Sequence, residues 1–291
     1  MNKSDIDYLT HTWNPITGCL HECRKTYCYA SKMVNRFSGW GFQIDGRPIC
    51  NCNVDTGAKF GVLHDIEKPL TKDFPDNKGP IDPYPFGFEP TFHRYRLNEP
   101  AKLKKPSTIG VVYMGDLFGD WILDEWIEKV FESCEAAPQH KYLFLTKNPK
   151  RYKEVLPLWK SHHGKLTNMW FGTTVTGDSD KQKAWDLLTS TNKNINKFLS
   201  VEPLLSAFNL NDCELLLKDY KNKATIGNYI DWIIVGAQTG PGAKPPNPEW
   251  VQLIINQARE ANIPVFMKSN LKSCWEGEFI QQFPEGLRGN E

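Results

Sequence analysis

Residues 141–146 read KYLFLT, a short and almost continuously apolar run. Such a run is typical of a strand that is covered on both faces, as the strands of a parallel sheet are. Five more runs of this kind lie along the chain. They are IGVVYM (109–114), MWFGTTV (169–175), KFLSVE (197–202), DWIIVG (231–236) and IPVFMK (263–268). The sequence therefore predicts at least six buried strands.

Amphipathic segments lie between these strands. Residues 124–137 place apolar side chains at helical spacing, and residues 178–191 open with Asp and Ser, which favour the start of a helix. Residues 247–262 begin with Asn-Pro, an N-cap residue followed by proline in the first turn. Strands that alternate with helices predict βαβ units and a parallel sheet.

Two architectures fit this alternation, an open doubly wound sheet and a closed or partial (β/α) barrel. Further strands near HTWNP (11–15) and GFEPTFH (87–93) would bring the count toward a barrel's eight. We predict an α/β fold, a full or partial TIM-like (β/α) barrel formed by residues 1–291 as a single domain. Residues 38–88, rich in Gly, Pro, Asp and Asn, are predicted to be an irregular insertion or lid after the first helix.

The charge balance excludes a globally basic nucleic-acid binder, because 35 Lys and Arg residues accompany 34 Asp and Glu residues. No apolar run is long enough to predict a membrane span, and the first residues lack the pattern of a secretion signal. We therefore expect a cytoplasmic protein. Clustered thiols in that compartment are more often metal ligands or catalysts than disulfides.

Three of the eight cysteines, Cys19, Cys23 and Cys28, have the spacing C-x3-C-x4-C. A structural zinc site needs four ligands, so His21 or a cysteine of the C-x-C pair at 50–52 would have to complete it. That pair points to opposite sides if extended, and we do not expect it to supply ligands. A catalytic zinc site would keep three ligands and an open position. An iron–sulfur cluster held by three thiolates leaves one iron open to a small molecule, which would explain chemically why the motif stops at three.

The cysteine motif, with Tyr27 directly before its last cysteine, resembles the radical S-adenosylmethionine superfamily, whose usual spacing is C-x3-C-x2-C. The first gap and the aromatic residue match, and the second gap is two residues longer. Further segments resemble an uncharacterised, phage-associated family of radical-SAM-like proteins: TWNPITGC, FEPTFHRYRL, MGDLFGDW, SVEPLL, IDWIIVGAQTGPGA and FMKSN. That family is similar, more distantly, to spore photoproduct lyase in the cysteine loop.

The resemblance implies that Cys19, Cys23 and Cys28 hold a [4Fe–4S] cluster whose open iron chelates S-adenosylmethionine. Tyr27 would lie against the adenine or its pocket. A flavodoxin- or ferredoxin-like electron donor would reduce the cluster, and cleavage of the sulfonium would give a 5′-deoxyadenosyl radical. That radical would take a hydrogen atom from a substrate, for which a nucleic acid or nucleotide is suggested.

Polar residues at the ends of the predicted strands supply further candidates, because the carboxyl ends of parallel strands share one face. Asp116, Thr174 and Glu202 are candidates for contacts with the ribose or methionine of S-adenosylmethionine. Gln238 and Lys268 are candidates for contacts with its carboxylate or with an anionic substrate. Each of these residues could instead close a loop or a helix end.

Two readings other than a radical enzyme remain open. The same cysteines would serve a zinc-binding protein with a structural or nucleic-acid-binding role. Alternatively, the chain would be a degenerate barrel that acts as an interaction partner. Among the histidines, His93 lies at the end of the strand predicted near residues 87–93, and it is the one expected to line the site.

Overall fold

The computed structural model of the protein describes most of the chain. The described residues are 1–37, 53–54, 63–72, 78–163, 167–191, 194–212, 230–240 and 242–287. Cys50 and Cys52 lie outside these ranges, together with part of the predicted insertion.

The described residues form twelve strands and six α-helices. The strands are β1 (Asn2–Lys3), β2 (His11–Trp13), β3 (Ile16–Thr17), β4 (Asn53–Val54), β5 (Leu63–Ile66), β6 (Thr91–His93), β7 (Thr108–Val111), β8 (Lys141–Thr146), β9 (Met169–Thr174), β10 (Asn196–Val201), β11 (Trp232–Val235) and β12 (Val265–Met267). The helices are α1 (Tyr29–Phe37), α2 (Glu99–Lys102), α3 (Asp124–Glu135), α4 (Tyr152–His163), α5 (Lys181–Ser190) and α6 (Pro248–Glu260). Every run predicted as a buried strand overlaps one of these strands, and the three predicted helices are present.

Eight strands form one sheet in the order β1-β2-β7-β8-β9-β10-β11-β12. β1 is antiparallel to β2, and every other neighbouring pair in this sheet is parallel. From β7 to β12 the order in space follows the order in the chain, so each crossover moves to the next strand. The prediction of an α/β fold with a parallel sheet is confirmed. Within the described residues the sheet has two ends, β1 and β12.

Helices α3, α4, α5 and α6 cover one face of this sheet. Apolar residues of α3 and α6, among them Trp126 and Ile254, form one core with strand residues such as Phe144 and Phe171. Alternate strand residues point to the other face, where Leu143, Trp170, Phe198, Trp232 and Phe266 form a second core. In the part of the chain that is described, this second core contains no helix residue. It is covered instead by segments near the two chain ends.

These covering segments show that the sheet is curled. Tyr8 packs edge-on against Phe266 of β12, with ring centres 5.8 Å apart. In a flat sheet β12 would lie about 29 Å from β2, which is too far for a residue three positions before β2 to reach. From the other end, Leu287 is buried in the same core, and its carbonyl accepts a hydrogen bond from Thr108 Oγ1 at 3.4 Å.

Four strands form a second, smaller sheet in the order β3-β6-β5-β4. The prediction that GFEPTFH adds a strand to the main sheet is therefore wrong, because its strand, β6, pairs with β3 and β5. Pro15 has no N–H with which to continue the β2 ladder, and its carbonyl accepts from His93 N at 2.7 Å. The chain thus leaves the main sheet after β2 and starts the small one. β4 and β5 belong to the predicted insertion, so its described part includes regular structure.

None of the helices in the described ranges is both long and apolar enough to cross a membrane.

Candidate functional site

A cavity of about 360 Å³ opens at the carboxyl ends of the parallel strands. This edge is where parallel α/β folds bind their ligands. Residues that end or follow the strands line one part of the cavity, and residues between Cys19 and Met33 line another. The structure places all nine candidate residues in this one cavity: Cys19, Cys23, Tyr27, Cys28, Asp116, Thr174, Glu202, Gln238 and Lys268.

The longer second gap of the cysteine motif comprises residues 24–27. It begins in a 3-10 turn at Glu22–Lys25. The carbonyl of Cys23 accepts hydrogen bonds from Thr26 N at 3.0 Å and from Cys28 N at 3.1 Å. Arg24, Lys25 and Thr26 are exposed. The additional residues therefore bulge toward solvent, and the turn brings Cys28 back beside Cys23.

The three thiols differ in their acidity. Burial, together with the charge of Asp116, raises the pKa of Cys19 to about 12. A hydrogen bond from Cys23, helped by the amides of Ser31 and Ala30 in the first turn of α1, lowers the pKa of Cys28 to about 6. Donating that hydrogen bond raises the pKa of Cys23. Cys28 is therefore the thiol that ionises at neutral pH.

In the described part of the chain, no three His, Cys, Asp or Glu side chains form a group that could hold one metal ion. In the cysteine loop, Cys23 and Cys28 are hydrogen-bonded to each other. His21 of the same loop is hydrogen-bonded to Asp116.

Asp116 is buried, and both of its oxygens are occupied. Oδ1 accepts from Phe118 N at 3.0 Å and from Thr146 Oγ1 at 2.7 Å. Oδ2 accepts from Lys147 N at 2.9 Å and from His21 Nε2 at 2.8 Å. Burial alone would raise the pKa of this carboxyl, but the hydrogen bonds, led by that of His21, hold it below its ordinary value. Asp116 thus ties the cysteine loop to the segments that follow β7 and β8.

Glu202 and Lys268 form an ion pair inside the cavity. They follow β10 and β12, the two neighbours of β11 in the sheet. Gly236 directly follows β11 between them, and a Cβ atom there would lie 3.0 Å from the Cδ atoms of both side chains. Glycine at this position therefore leaves the room that the ion pair occupies.

The remaining candidates also face the cavity. Thr174 is buried at the end of β9, and Gln238 follows β11. Tyr27 lies beneath Lys147, whose Nζ is 5.7 Å from the ring centre, a distance that suits a cation–π contact. Burial raises the pKa of Tyr27 to about 12, so its hydroxyl stays protonated at neutral pH.

Three further tyrosines line the cavity and were missed by the sequence reasoning: Tyr8, Tyr29 and Tyr113. Tyr29 donates a hydrogen bond to the carbonyl of Tyr113 at 2.7 Å, and 43% of Tyr29 is exposed. Burial of the hydroxyls, with the charge of Glu202 as a smaller cause, raises the pKa of all three. In sequence these residues look like core aromatics, and no local pattern distinguishes them.

The expectation that His93 lines the site is wrong. His93 is fully buried in the small sheet, where its ring bonds to Thr17 Oγ1 at 2.9 Å and to the Tyr95 hydroxyl at 3.2 Å. Burial lowers its pKa well below the ordinary value, so the ring is neutral. The histidine in the cavity is His21, which sequence reasoning considered only as a zinc ligand.

Residues 3–281 match the model of a family described as a protein of unknown function (DUF5131). The chain belongs to this family. The match includes every residue that lines the cavity, so the cavity is formed entirely within the DUF5131 region. Neither a curated protein nor a solved structure gives a significant match to the chain.

Proposed function

We propose that the protein is a radical S-adenosylmethionine enzyme that holds a [4Fe–4S] cluster on Cys19, Cys23 and Cys28. One observation carries the proposal: the three thiols and the polar strand ends line the same cavity at the carboxyl edge of a parallel sheet. A cofactor held by the thiols would therefore face residues able to bind a second molecule.

The donor set fits a cluster. Each thiolate of a cluster binds a different iron, so the three sulfurs surround a volume, whereas the ligands of a zinc ion meet at one centre. A pKa of about 6 prepares Cys28 to bind metal as a thiolate at neutral pH.

When bound, the cluster and S-adenosylmethionine supply one-electron reductive cleavage of the sulfonium C–S bond and, through it, hydrogen-atom abstraction from a substrate. The chain's own residues bind and orient. Glu202 and Lys268 offer a carboxylate and an ammonium to the amino and carboxylate groups of a ligand. Thr174 and Gln238 add hydrogen-bonding groups, while the buried Tyr8 and Tyr113 supply walls that exclude water.

We also propose a partial (β/α) barrel and a cytoplasmic location for the protein. Helices on one face of a curled parallel sheet, with terminal segments across the other face, support a partial (β/α) barrel. The described cysteines, Cys19, Cys23, Cys28, Cys134 and Cys274, are free, which suits a reducing compartment such as the cytoplasm.

The first test is the metal content of protein purified without oxygen. We expect iron and sulfide in equal amounts, visible absorption of a brown chromophore, and an electron paramagnetic resonance signal after reduction. Reduced protein should convert S-adenosylmethionine to methionine and 5′-deoxyadenosine. Each of the changes Cys19→Ala, Cys23→Ala and Cys28→Ala should abolish both cluster and cleavage.

Cys274→Ala is the matched control, because this cysteine is free and lies outside the cavity. It should keep the iron and the cleavage activity. One zinc per chain without sulfide would instead favour the zinc-binding alternative. A folded protein that takes up iron and sulfide but never cleaves S-adenosylmethionine would favour a degenerate barrel, and either result would overturn the proposal.

A further inference from the structure

The outer face of α1 places cations and apolar side chains together at the mouth of the cavity. Tyr29 and Met33 line the cavity and are 43% and 40% exposed. Lys32 and Arg36 are exposed and lie on the same face, because positions three, four and seven apart are neighbours on a helix. We call these four residues the α1 face. Val34, on the opposite side of the helix, is fully buried.

The α1 face belongs to a strongly basic segment. Residues 23–37 contain four cations and no acid, although the net charge of the whole chain is only +1. Lys25 pairs with Glu22 at 2.6 Å. Within the described ranges, none of the other three cations, Arg24, Lys32 and Arg36, forms an ion pair. The positive charge of this segment therefore faces solvent.

The cavity itself carries charges of both signs. Asp116 is bonded to His21, and Glu202 is paired with Lys268. Asp5 and the Cys28 thiolate add negative charge among the described lining residues, and Lys147 adds a cation. The positive surface is therefore the exposed α1 face at the mouth, which is also partly apolar.

This combination fits one kind of partner. Sites for unpaired nucleic-acid strands pair cations that follow the phosphates with aromatic side chains on which bases stack. A duplex would fit poorly, because its bases are stacked away from a cavity that must receive a nucleotide. We propose that the α1 face binds an unpaired polynucleotide strand and directs one nucleotide into the cavity. This inference names the substrate class of the proposed enzyme and, in that respect, rests on the proposed function.

Binding is tested with the full chain and a fluorescein-labelled DNA strand of mixed sequence, about 12 nucleotides long. Fluorescence anisotropy at several salt concentrations gives affinity and its salt dependence. The double variant Lys32→Gln, Arg36→Gln should bind about tenfold more weakly at low salt. The slope of log affinity against log salt should become shallower by about 1.4, because two phosphate contacts to a single strand are lost.

A matched control makes the same change of charge elsewhere. Lys104 and Lys105 are exposed and precede β7, at the opposite edge of the sheet from the cavity. The double variant Lys104→Gln, Lys105→Gln should keep the affinity and slope of the unchanged protein. Equal losses in the two double variants would show nonspecific attraction and overturn the proposal.

The stacking contact has its own readout. Tyr29→Leu should weaken binding of the strand about tenfold without changing the salt slope, since it removes a ring and no charge. Tyr29→Phe keeps the ring and should bind like the unchanged protein. Heparin, a polyanion without bases, should bind both variants equally. The proposal fails if Tyr29→Leu has no effect, or if the strand's duplex form binds as tightly as the strand.

The outcomes separate this inference from the proposed function, because the anisotropy assay needs no cluster and the cleavage assay needs no oligonucleotide. Cleavage of S-adenosylmethionine by a protein that does not bind the strand would overturn only the inference. Specific binding of the strand by a protein that takes up no iron would support the α1 face as a nucleic-acid site and overturn only the proposed function.

Discussion

His21 and Asp116 are joined by a hydrogen bond of 2.8 Å, and His21 also packs edge-on against Trp121, with ring centres 4.9 Å apart. Because His21 lies between Cys19 and Cys23, these contacts fix the middle of the cysteine loop to the segment after β7. The position of the thiols thus depends on the carboxylate of Asp116, which is 95 residues away from His21 in sequence.

The first prediction concerns this connection. Asp116→Ala removes the acceptor of three donors from the strand ends, and leaving a buried donor without a partner costs about 1–3 kcal/mol. We expect the free energy of unfolding in urea to fall by about 3 kcal/mol. His21→Ala leaves those donors satisfied, so it should lower iron content much more than stability. Asp120→Ala, a change at an exposed neighbour whose Oδ1 accepts one hydrogen bond from Asn148 Nδ2 at 2.7 Å, should lower the free energy by no more than about 1 kcal/mol. Full iron content in His21→Ala would contradict this role.

The second prediction concerns acid. The pKa of Asp116 is lowered in the folded protein, so its contribution to stability is present above the unfolded pKa of about 3.9. That contribution is lost as the pH falls through the folded value. Asp116→Asn should therefore make the free energy of unfolding depend less steeply on pH below about pH 4. Urea unfolding measured at several acidic pH values checks this, and an unchanged pH dependence would contradict it.

The third prediction concerns thiol reactivity in metal-free protein. With a pKa of about 6, Cys28 is a thiolate at neutral pH, whereas Cys19, with a pKa of about 12, is protonated. Iodoacetamide should therefore label Cys28 well before Cys19, as followed by peptide mass spectrometry. Cys23→Ala removes the hydrogen bond and should shift the labelling of Cys28 to higher pH. Faster labelling of Cys19 than of Cys28 would contradict the assignment.

The sequence predicts most of the sheet and, through the sheet, much of the site. Buried strands have a continuous apolar pattern, and parallel strands bring their carboxyl ends together, so Glu202 and Lys268 could be grouped before the fold was known. The strands that pair with β6 could not be predicted in this way, because Pro15 redirects the chain and contacts a residue that is distant in sequence. Tyr29 and Tyr113 were missed because an aromatic residue has the same local signature in a core as in a cavity wall.

The fourth prediction concerns the space that Gly236 leaves. Gly236→Ala would bring a methyl group within 3.0 Å of the side chains of Glu202 and Lys268, so the ion pair would have to move. We expect binding of S-adenosylmethionine, measured by calorimetry, to weaken at least tenfold while the melting temperature changes little. Glu202→Gln and Lys268→Met should each weaken binding without this clash. Tight binding in Gly236→Ala would show that the pair does not contact the ligand.

The fifth prediction tests the curl of the sheet. Tyr8 contacts Phe266 across the second core, so Tyr8→Ala should destabilise the protein by about 3 kcal/mol. A double-mutant cycle with Phe266→Leu should give a coupling energy of about 0.5–1.5 kcal/mol, the range for edge-to-face ring pairs. The same cycle with Phe131→Leu should be additive, because Phe131 belongs to the core on the helical face of the sheet. Additivity in both cycles would mean that Tyr8 does not cover the second core in solution. The inference of a partial barrel would then lose its main support, because a flat sheet would keep these two rings far apart.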